Sequence, residues 1–115
     1  MTYTIYKDEM IIGHSKLELG DAPMSVAAGA FTPAFEFPEF ESKQTSFKDE
    51  EGVTRWIGLT AKASDGQILE CIDVVLIRYQ YGDFLEFEVS VIGANREQYD
   101  HHFPHHNRTY EEQFK

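Results

Sequence analysis

The sequence predicts an α+β protein dominated by an antiparallel β-sheet, with about six strands that can curl into a half-barrel and one or two short C-terminal helices. Three observations support this prediction. Phe84 to Ile92 alternates between apolar and polar residues, Asp65-Gly66 separates two apolar runs, and a helix-capping residue, Asn95, follows the last of these strands. At 115 residues the chain has the length of a single domain, residues 1–115.

The N-terminal third predicts three strands. Tyr3 to Tyr6 and Met10 to Leu19 are apolar-rich and are separated by the polar residues Lys7 to Glu9, a pattern typical of a β-hairpin. A third strand is expected from Met24 to Phe31, with a helix over the same residues as the alternative. Its small residues, Ala28 to Ala30, indicate close approach of another element.

A second hairpin is expected in the centre of the chain. Trp56 to Ala63 and Gln67 to Tyr79 flank Ser64-Asp65-Gly66, and Asp-Gly between two such runs favours a tight turn. In the following strand, Phe84 to Ile92, alternate side chains point to opposite faces of the sheet. Four apolar residues are therefore expected to face the core: Leu85, Phe87, Val89 and Val91.

The C-terminal region predicts helices. Asn95 is a suitable N-cap for a short helix from Arg96 to about His102, and Pro104 is expected to end or kink it. A second helical stretch of one or two turns is expected from Asn107 to Phe114. Two aromatic residues four positions apart are expected to pack this stretch on the sheet: Tyr110 and Phe114.

Charge and composition exclude several classes of protein. Twenty acidic and ten basic residues give a net charge of −10. The resulting electrostatic field repels nucleic acid and anionic membranes and attracts basic protein surfaces. The sequence contains no signal peptide and no apolar run long enough to span a membrane, so we expect a cytoplasmic protein. Cys71, the single cysteine, lies in an apolar run and is interpreted as a small buried hydrophobic residue.

An acidic, phenylalanine-rich segment from Phe31 to Phe47 is the most unusual feature of the sequence, and it leads into further carboxylates. Pro33 and Pro38 predict a loop here, with at most an irregular edge strand. Two interpretations stay open: the rings cover the open end of the sheet, or they form a contact surface for a basic partner. The candidate partner-binding residues are Phe35, Glu36, Phe37, Glu39, Phe40, Glu41, Asp49, Glu50 and Glu51.

Four histidines crowd into the motif HHFPHH: His101, His102, His105 and His106. On a helix they would form two i, i+4 pairs, a spacing at which two imidazoles can share a zinc or copper ion. Pro104 weakens that geometry, and the sequence offers only Asp100 and His14 as further ligands. We therefore predict that the protein has no cofactor and requires no metal for folding. The alternatives to a functional metal site are adventitious metal binding by surface histidines and a packing role for one or two of the rings.

Asp73 is a carboxylate inside an apolar run. If it is buried, it must be hydrogen-bonded, paired, with Arg78 or Arg55 as candidates, or shifted to its neutral form. The alternative is a strand edge from which Asp73 reaches water. Buried carboxylates cluster at functional sites. However, the sequence contains no nucleophile motif of the G-x-S-x-G type, no H-E-x-x-H and no phosphate-binding glycine loop. Enzymatic activity therefore has no support from motifs.

Two blocks, Ile11 to Phe31 (with the pattern G-x-S-x-L-E-x-G-D-x-P-M-x-V-A-x-G) and Tyr99 to Tyr110, resemble a set of small uncharacterised bacterial proteins. This resemblance implies a bacterial, cytosolic protein and no particular activity. In size and charge the chain is also similar to immunity proteins that neutralise bacterial toxins. Our first hypothesis is a non-enzymatic acidic module of this type that masks a basic partner such as a toxin or nuclease; the alternative is a small enzyme or metal-binding protein using His101 to His106.

Overall fold

The computed structural model describes residues 1–114 and shows an α+β protein with one mostly antiparallel sheet and three short helices. The strands are β1 (Tyr3–Lys7), β2 (Met10–Ser15), β3 (Leu19–Asp21), β4 (Val26–Pro33), β5 (Phe47–Glu50), β6 (Val53–Trp56), β7 (Thr60–Ala63), β8 (Asp73–Tyr81) and β9 (Phe84–Ile92). The helices are α1 (Phe37–Lys43), α2 (Arg96–His102) and α3 (Pro104–Glu112). The predicted fold class is confirmed, with more strands than expected.

The strands follow the order β5-β6-β8-β9-β4-β2-β1-β7, and β3 pairs separately with β4. The longest ladder joins β8 to β9 and runs from Asp73 opposite Ile92 to Tyr81 opposite Phe84. Across residues 1–114 the sheet remains open, although Leu59, next to β7, donates its backbone N–H to the carbonyl oxygen of Val74 at 3.2 Å. The end of the sheet at β7 thus approaches β8, the third strand from the other end, without forming a continuous ladder.

β4 is where the sheet bends, because its first half pairs with β9 and β3 and its second half with β2. Between β2 and β3 the chain does not pair with β4. There the Glu18 carboxylate, and not a backbone carbonyl, accepts the N–H of Ala30 at 3.0 Å. A Cβ on Gly29 would collide with that carboxylate and lie 2.8 Å from Ser15 Oγ. The strand and the close approach predicted at these small residues are both confirmed.

Helices cover the core at two places. Phe37 and Phe40 of α1 pack on Trp56, while Tyr99 of α2 and Phe103 pack near Tyr3. All six side chains are buried. The core therefore contains two aromatic groups, one under each helical region.

The first expected hairpin is present, although its second strand ends at Ser15 and not at Leu19, and only the turn of the second is present. β1 and β2 pair as predicted. The Ser64–Gly66 turn is also present, since Ala63 N–H donates to the Gln67 carbonyl at 2.8 Å. However, the run after the turn contributes only the bridge between Lys62 and Ile68, and β8 begins later and pairs with β6 and β9. The long-range pairing of β8 with β6 and β9 has replaced the expected local pairing across the turn.

Two core assignments were wrong. Leu85 is 53% exposed, because it lies beyond the part of the β8–β9 hairpin that α1 covers; Phe87, Val89 and Val91 do pack in or against the core. Tyr110 and Phe114 contact each other edge to face, with ring centroids 5.0 Å apart, and both are exposed. They pair along the chain and do not pack on the sheet.

The proline-containing segment is where the sequence-based interpretation failed most clearly. The region expected to be a loop contains helix α1, and Pro38 lies in its first turn. Backbone N–H groups in the first turn have no acceptor within the helix, so a proline there costs no helical hydrogen bond. Similarly, Pro104 begins α3, three residues before the predicted start. The predicted Asn95 cap is confirmed, since its side chain accepts from Gln98 N–H at 3.0 Å.

Candidate functional site

The phenylalanines of the acidic segment divide into buried and exposed rings. Phe37 and Phe40 are 4% and 1% exposed, and Phe40 lies 5.8 Å from Trp56 between ring centroids. Phe35, in the turn before α1, is 99% exposed. Phe37 and Phe40 therefore cover the core, as the first interpretation expected, and are too buried to contact a partner directly. Phe35 is accessible, and its role in binding stays a prediction.

The carboxylates of this segment also divide into two groups. Glu41 binds Arg78 at 2.9 Å, and Asp49 binds Arg55 at 3.1 Å. Lys43 pairs with Glu39 at 2.8 Å on the exposed side of α1, which lowers the pKa of that glutamate through the hydrogen bond and the positive charge. The remaining carboxylates are exposed and form no ion pair with residues 1–114: Glu36, Glu50 and Glu51.

Strand β5 brings the second half of the segment to the edge of the sheet. All of its residues are exposed, and β6 is its single strand neighbour within the described chain. Glu50 and Glu51 line a surface cleft of about 410 Å³ together with Arg78, which also binds Glu41. Arg78 thus pairs with one acidic residue of the segment and shares a cleft with two others.

The four histidines of the HHFPHH motif occupy different environments. His102 and His106 are buried: Nε2 of His102 lies 2.6 Å from Gln67 Oε1, and Nε2 of His106 lies 3.0 Å from the Leu17 carbonyl oxygen. His106 also stacks on Phe103 at 5.2 Å between ring centroids. His101 and His105 are exposed. Because α2 ends at His102 and α3 restarts at Pro104, the four rings do not lie on one continuous helix face.

One group of metal-binding residue types forms in the part of the chain that the structure describes: Asp65, His101 and His102, whose potential ligand atoms all lie within 4.8 Å of one another. Asp65 comes from the hairpin turn after β7, and both histidines come from the last turn of α2. His105 and His106 are outside this group, as are Asp100 and His14. Sequence reasoning missed Asp65, because it was assigned only as a turn residue.

Asp65 and His101 line a cleft of about 860 Å³, which also includes Gln67, Glu70 and Glu97. Burial lowers the pKa of His102, the neighbouring His101 lowers it further, and Asp65 acts in the opposite direction. Neutral imidazole is the form that binds a metal ion, so this environment favours the ligand form of His102.

Tyr3 lies beside this group, with its ring 5.8 Å from that of His102. Burial, followed by the negative charge of Asp65, raises the pKa of Tyr3 to about 12. The folded state therefore disfavours the phenolate.

We expect the Tyr3 hydroxyl to make stability fall at alkaline pH. Its pKa in the unfolded chain is about 10, so the stabilisation is fully present below about pH 10 and is lost as the pH rises towards about 12. Denaturant unfolding across this range should show a smaller loss for Tyr3→Phe than for the unmodified chain. Tyr110→Phe, at an exposed tyrosine, is the control. Identical curves for Tyr3→Phe and the unmodified chain would contradict the prediction.

The other carboxylates considered from the sequence have structural partners. Asp73 Oδ1 accepts the N–H groups of Gly58 and Val74, both at 2.8 Å, and so ties β8 to the segment before β7. Its expected partners, Arg78 and Arg55, bind other carboxylates. The hydrogen-bonded form expected for Asp73 is therefore the one observed, with backbone N–H groups and not the candidate arginines as partners.

Asp100 and Cys71 are also accounted for by packing and hydrogen bonding. Asp100 accepts from Arg96 at 2.7 Å and from Asn107 at 2.9 Å, which joins α2 to α3 and lowers its pKa. Cys71 is half-buried against the core, and burial raises the pKa of its thiol, with Asp73 adding to the effect. A raised pKa disfavours the nucleophilic thiolate.

Comparisons of the chain with protein-family models, with curated proteins and with solved structures find no significant match. No helix among residues 1–114 is long and apolar enough to cross a membrane. The fold itself defines the class: a β-rich α+β protein with an open, bent antiparallel sheet and a net charge of −10.

Proposed function

We propose that this protein is a non-enzymatic protein-binding module of the immunity or inhibitor type, which masks a basic surface of a partner protein. The observation that carries the proposal is Phe35, an aromatic side chain that is 99% exposed in a segment rich in carboxylates. Aromatic anchors surrounded by polar residues provide much of the binding energy of protein interfaces. Phe35 is suited to insert into a partner pocket in this way.

The charge around Phe35 supports a basic partner. Glu36 and Glu39 are exposed on the same segment, and Glu50 and Glu51 are exposed where β5 ends. A net charge of −10 attracts a positively charged surface over long range and increases the rate of encounter. Toxins and nucleases that act on phosphate-containing substrates have basic clefts, so they are the class of partner that this surface fits.

The exposed edge of β5 supports a second contact. A terminal strand presents N–H and carbonyl groups that an extended partner segment can pair with. Phe47 in this strand is 44% exposed, so an added strand would gain apolar contact as well as hydrogen bonds. The proposed setting is the bacterial cytoplasm, in line with the resemblance of the Ile11 to Phe31 block to small bacterial proteins.

We test this function with the purified product of the neighbouring gene as the candidate partner. Phe35→Ala is expected to weaken binding by about 2 kcal/mol or more, mainly through faster dissociation. A Glu50→Gln, Glu51→Gln double variant is expected to slow association and to flatten its dependence on salt, because exposed charges act through a field that ions screen. Surface plasmon resonance at several ionic strengths measures both rates.

Phe114→Ala is the matched control, since Phe114 is a 72% exposed phenylalanine outside the acidic segment. It should bind as the unmodified protein does. Equal binding by the control, Phe35→Ala and the double variant would overturn the proposed surface.

A further inference from the structure

We propose that Asp65, His101 and His102 bind one divalent transition-metal ion of the zinc class on the wall of the 860 Å³ cleft. This inference goes beyond the proposed protein-binding function and uses none of its residues. It also differs from the metal site considered from the sequence, because His105 and His106 are replaced by a carboxylate from a distant turn.

The donor set suits such an ion. Two imidazole nitrogens and one carboxylate oxygen form the ligand combination of many catalytic zinc sites and of the two-histidine, one-carboxylate iron sites. Hard cations such as Mg²⁺ and Ca²⁺ prefer oxygen ligands alone. The histidines therefore favour zinc and its neighbours over those ions.

The spacing allows closure around an ion with small side-chain movements. Ligand atoms bound tetrahedrally to zinc lie about 3.4 Å apart, given bonds of about 2.1 Å. The present atoms lie within 4.8 Å of one another. His101 is exposed and can rotate, whereas His102 is 8% exposed and provides the fixed ligand. Asp65 is exposed as well, and because its Oδ1 accepts the Gln67 N–H at 2.9 Å, its other carboxylate oxygen remains for the ion.

The environment of the His102 ring supports a bound ion. Nδ1 of this ring is buried and has no hydrogen-bond partner within residues 1–114. Buried polar atoms without partners are rare and commonly mark a bound group. The other ring nitrogen, Nε2, lies 2.6 Å from Gln67 Oε1. An N–H at Nε2 that donates to this oxygen orients the ring and leaves the lone pair of Nδ1 for a metal ion.

The surroundings favour a cation and leave room for more than the protein ligands. Glu70 and Glu97 line the same cleft and add negative charge near the three ligands. Three protein ligands leave a coordination position free for water or a small molecule, and the cleft provides space for it.

The test is titration of the chelator-treated protein with Zn²⁺ by calorimetry and with Co²⁺ by visible absorption. We expect one ion per chain and a Co²⁺ spectrum typical of mixed nitrogen and oxygen coordination. Asp65→Asn and His101→Ala should each weaken binding by more than about tenfold, because each removes a direct ligand. Both residues are exposed, so the fold should tolerate the changes.

His105→Ala is the matched control, because His105 is an exposed histidine of the same motif that lies outside the group. Unchanged binding by this variant supports the site. Three outcomes would each overturn the proposal. The first is that Asp65→Asn leaves binding intact, the second is that His105→Ala weakens binding as much as His101→Ala does, and the third is that the protein binds no stoichiometric ion. The second of these outcomes would identify adventitious binding to surface histidines.

Discussion

Replacing Phe40 with alanine is expected to lower the free energy of unfolding by about 3–5 kcal/mol, the range for truncating a buried phenylalanine. Phe40 is 1% exposed, and its ring lies 5.7 Å from Phe37 and 5.8 Å from Trp56 between centroids. Its removal would leave a cavity among rings that join α1 to the sheet. Guanidinium unfolding followed by tryptophan fluorescence measures the effect, because Trp56 is the single tryptophan.

Phe35→Ala is the control, because Phe35 is 99% exposed five residues earlier on the same segment. It should change stability by less than about 0.5 kcal/mol, as is usual for surface positions. Comparable losses in the two variants would contradict the assignment of one ring to the core and the other to the surface. The same pair separates stability from binding, because Phe35→Ala should impair binding while the protein stays folded.

Gly13→Ala is expected to lower the free energy of unfolding by about 3 kcal/mol, at the upper end of the usual cost of overpacking. Gly13 is buried in β2, opposite Ile5 on one side and Pro33 on the other. An added Cβ would collide with the Phe31 ring and lie 2.5 Å from the Thr32 carbonyl oxygen. The ring can move, but the backbone oxygen belongs to the β4 ladder, so the strands must separate to relieve the contact. Thermal unfolding monitored by circular dichroism tests this.

Gly66→Ala provides the comparison for Gly13→Ala. Gly66 lies in the hairpin turn with φ +92°, and no atom lies within 4 Å of where its Cβ would be. Its cost should be limited to backbone strain of about 1 kcal/mol. If Gly13→Ala proved no more destabilising than Gly66→Ala, the close approach of β2 and β4 would be incorrect.

Features determined by neighbouring residues were predictable from the sequence. The β1–β2 hairpin, the turn at Asp65-Gly66, the alternation in β9 and the Asn95 cap all depend on residues within a few positions of each other. For such features the conformational preferences of the chain and the pattern of apolar residues already agree with the final fold. The fold class follows from them.

The candidate sites were only partly predictable. The acidic segment and the histidine motif are visible as composition, but which of their members are accessible is not. Phe35 and Phe40 are alike in sequence, and helix α1 alone decides that one is exposed and the other is buried. The proximity of Asp65 to His101 and His102 likewise requires the turn after β7 and the end of α2 to lie close together in space.

The sequence by itself therefore determined the class of fold, the hairpin turns, the helix cap and the strongly negative charge of this protein. Tertiary structure alone decided the strand order, the burial of Phe37 and Phe40, and the partners of Asp73 and Asp65. The physical reason is the range of the interactions. Turns and caps are formed by local hydrogen bonds, whereas burial and ligand geometry depend on contacts between residues far apart in the chain, where packing overrides local preference.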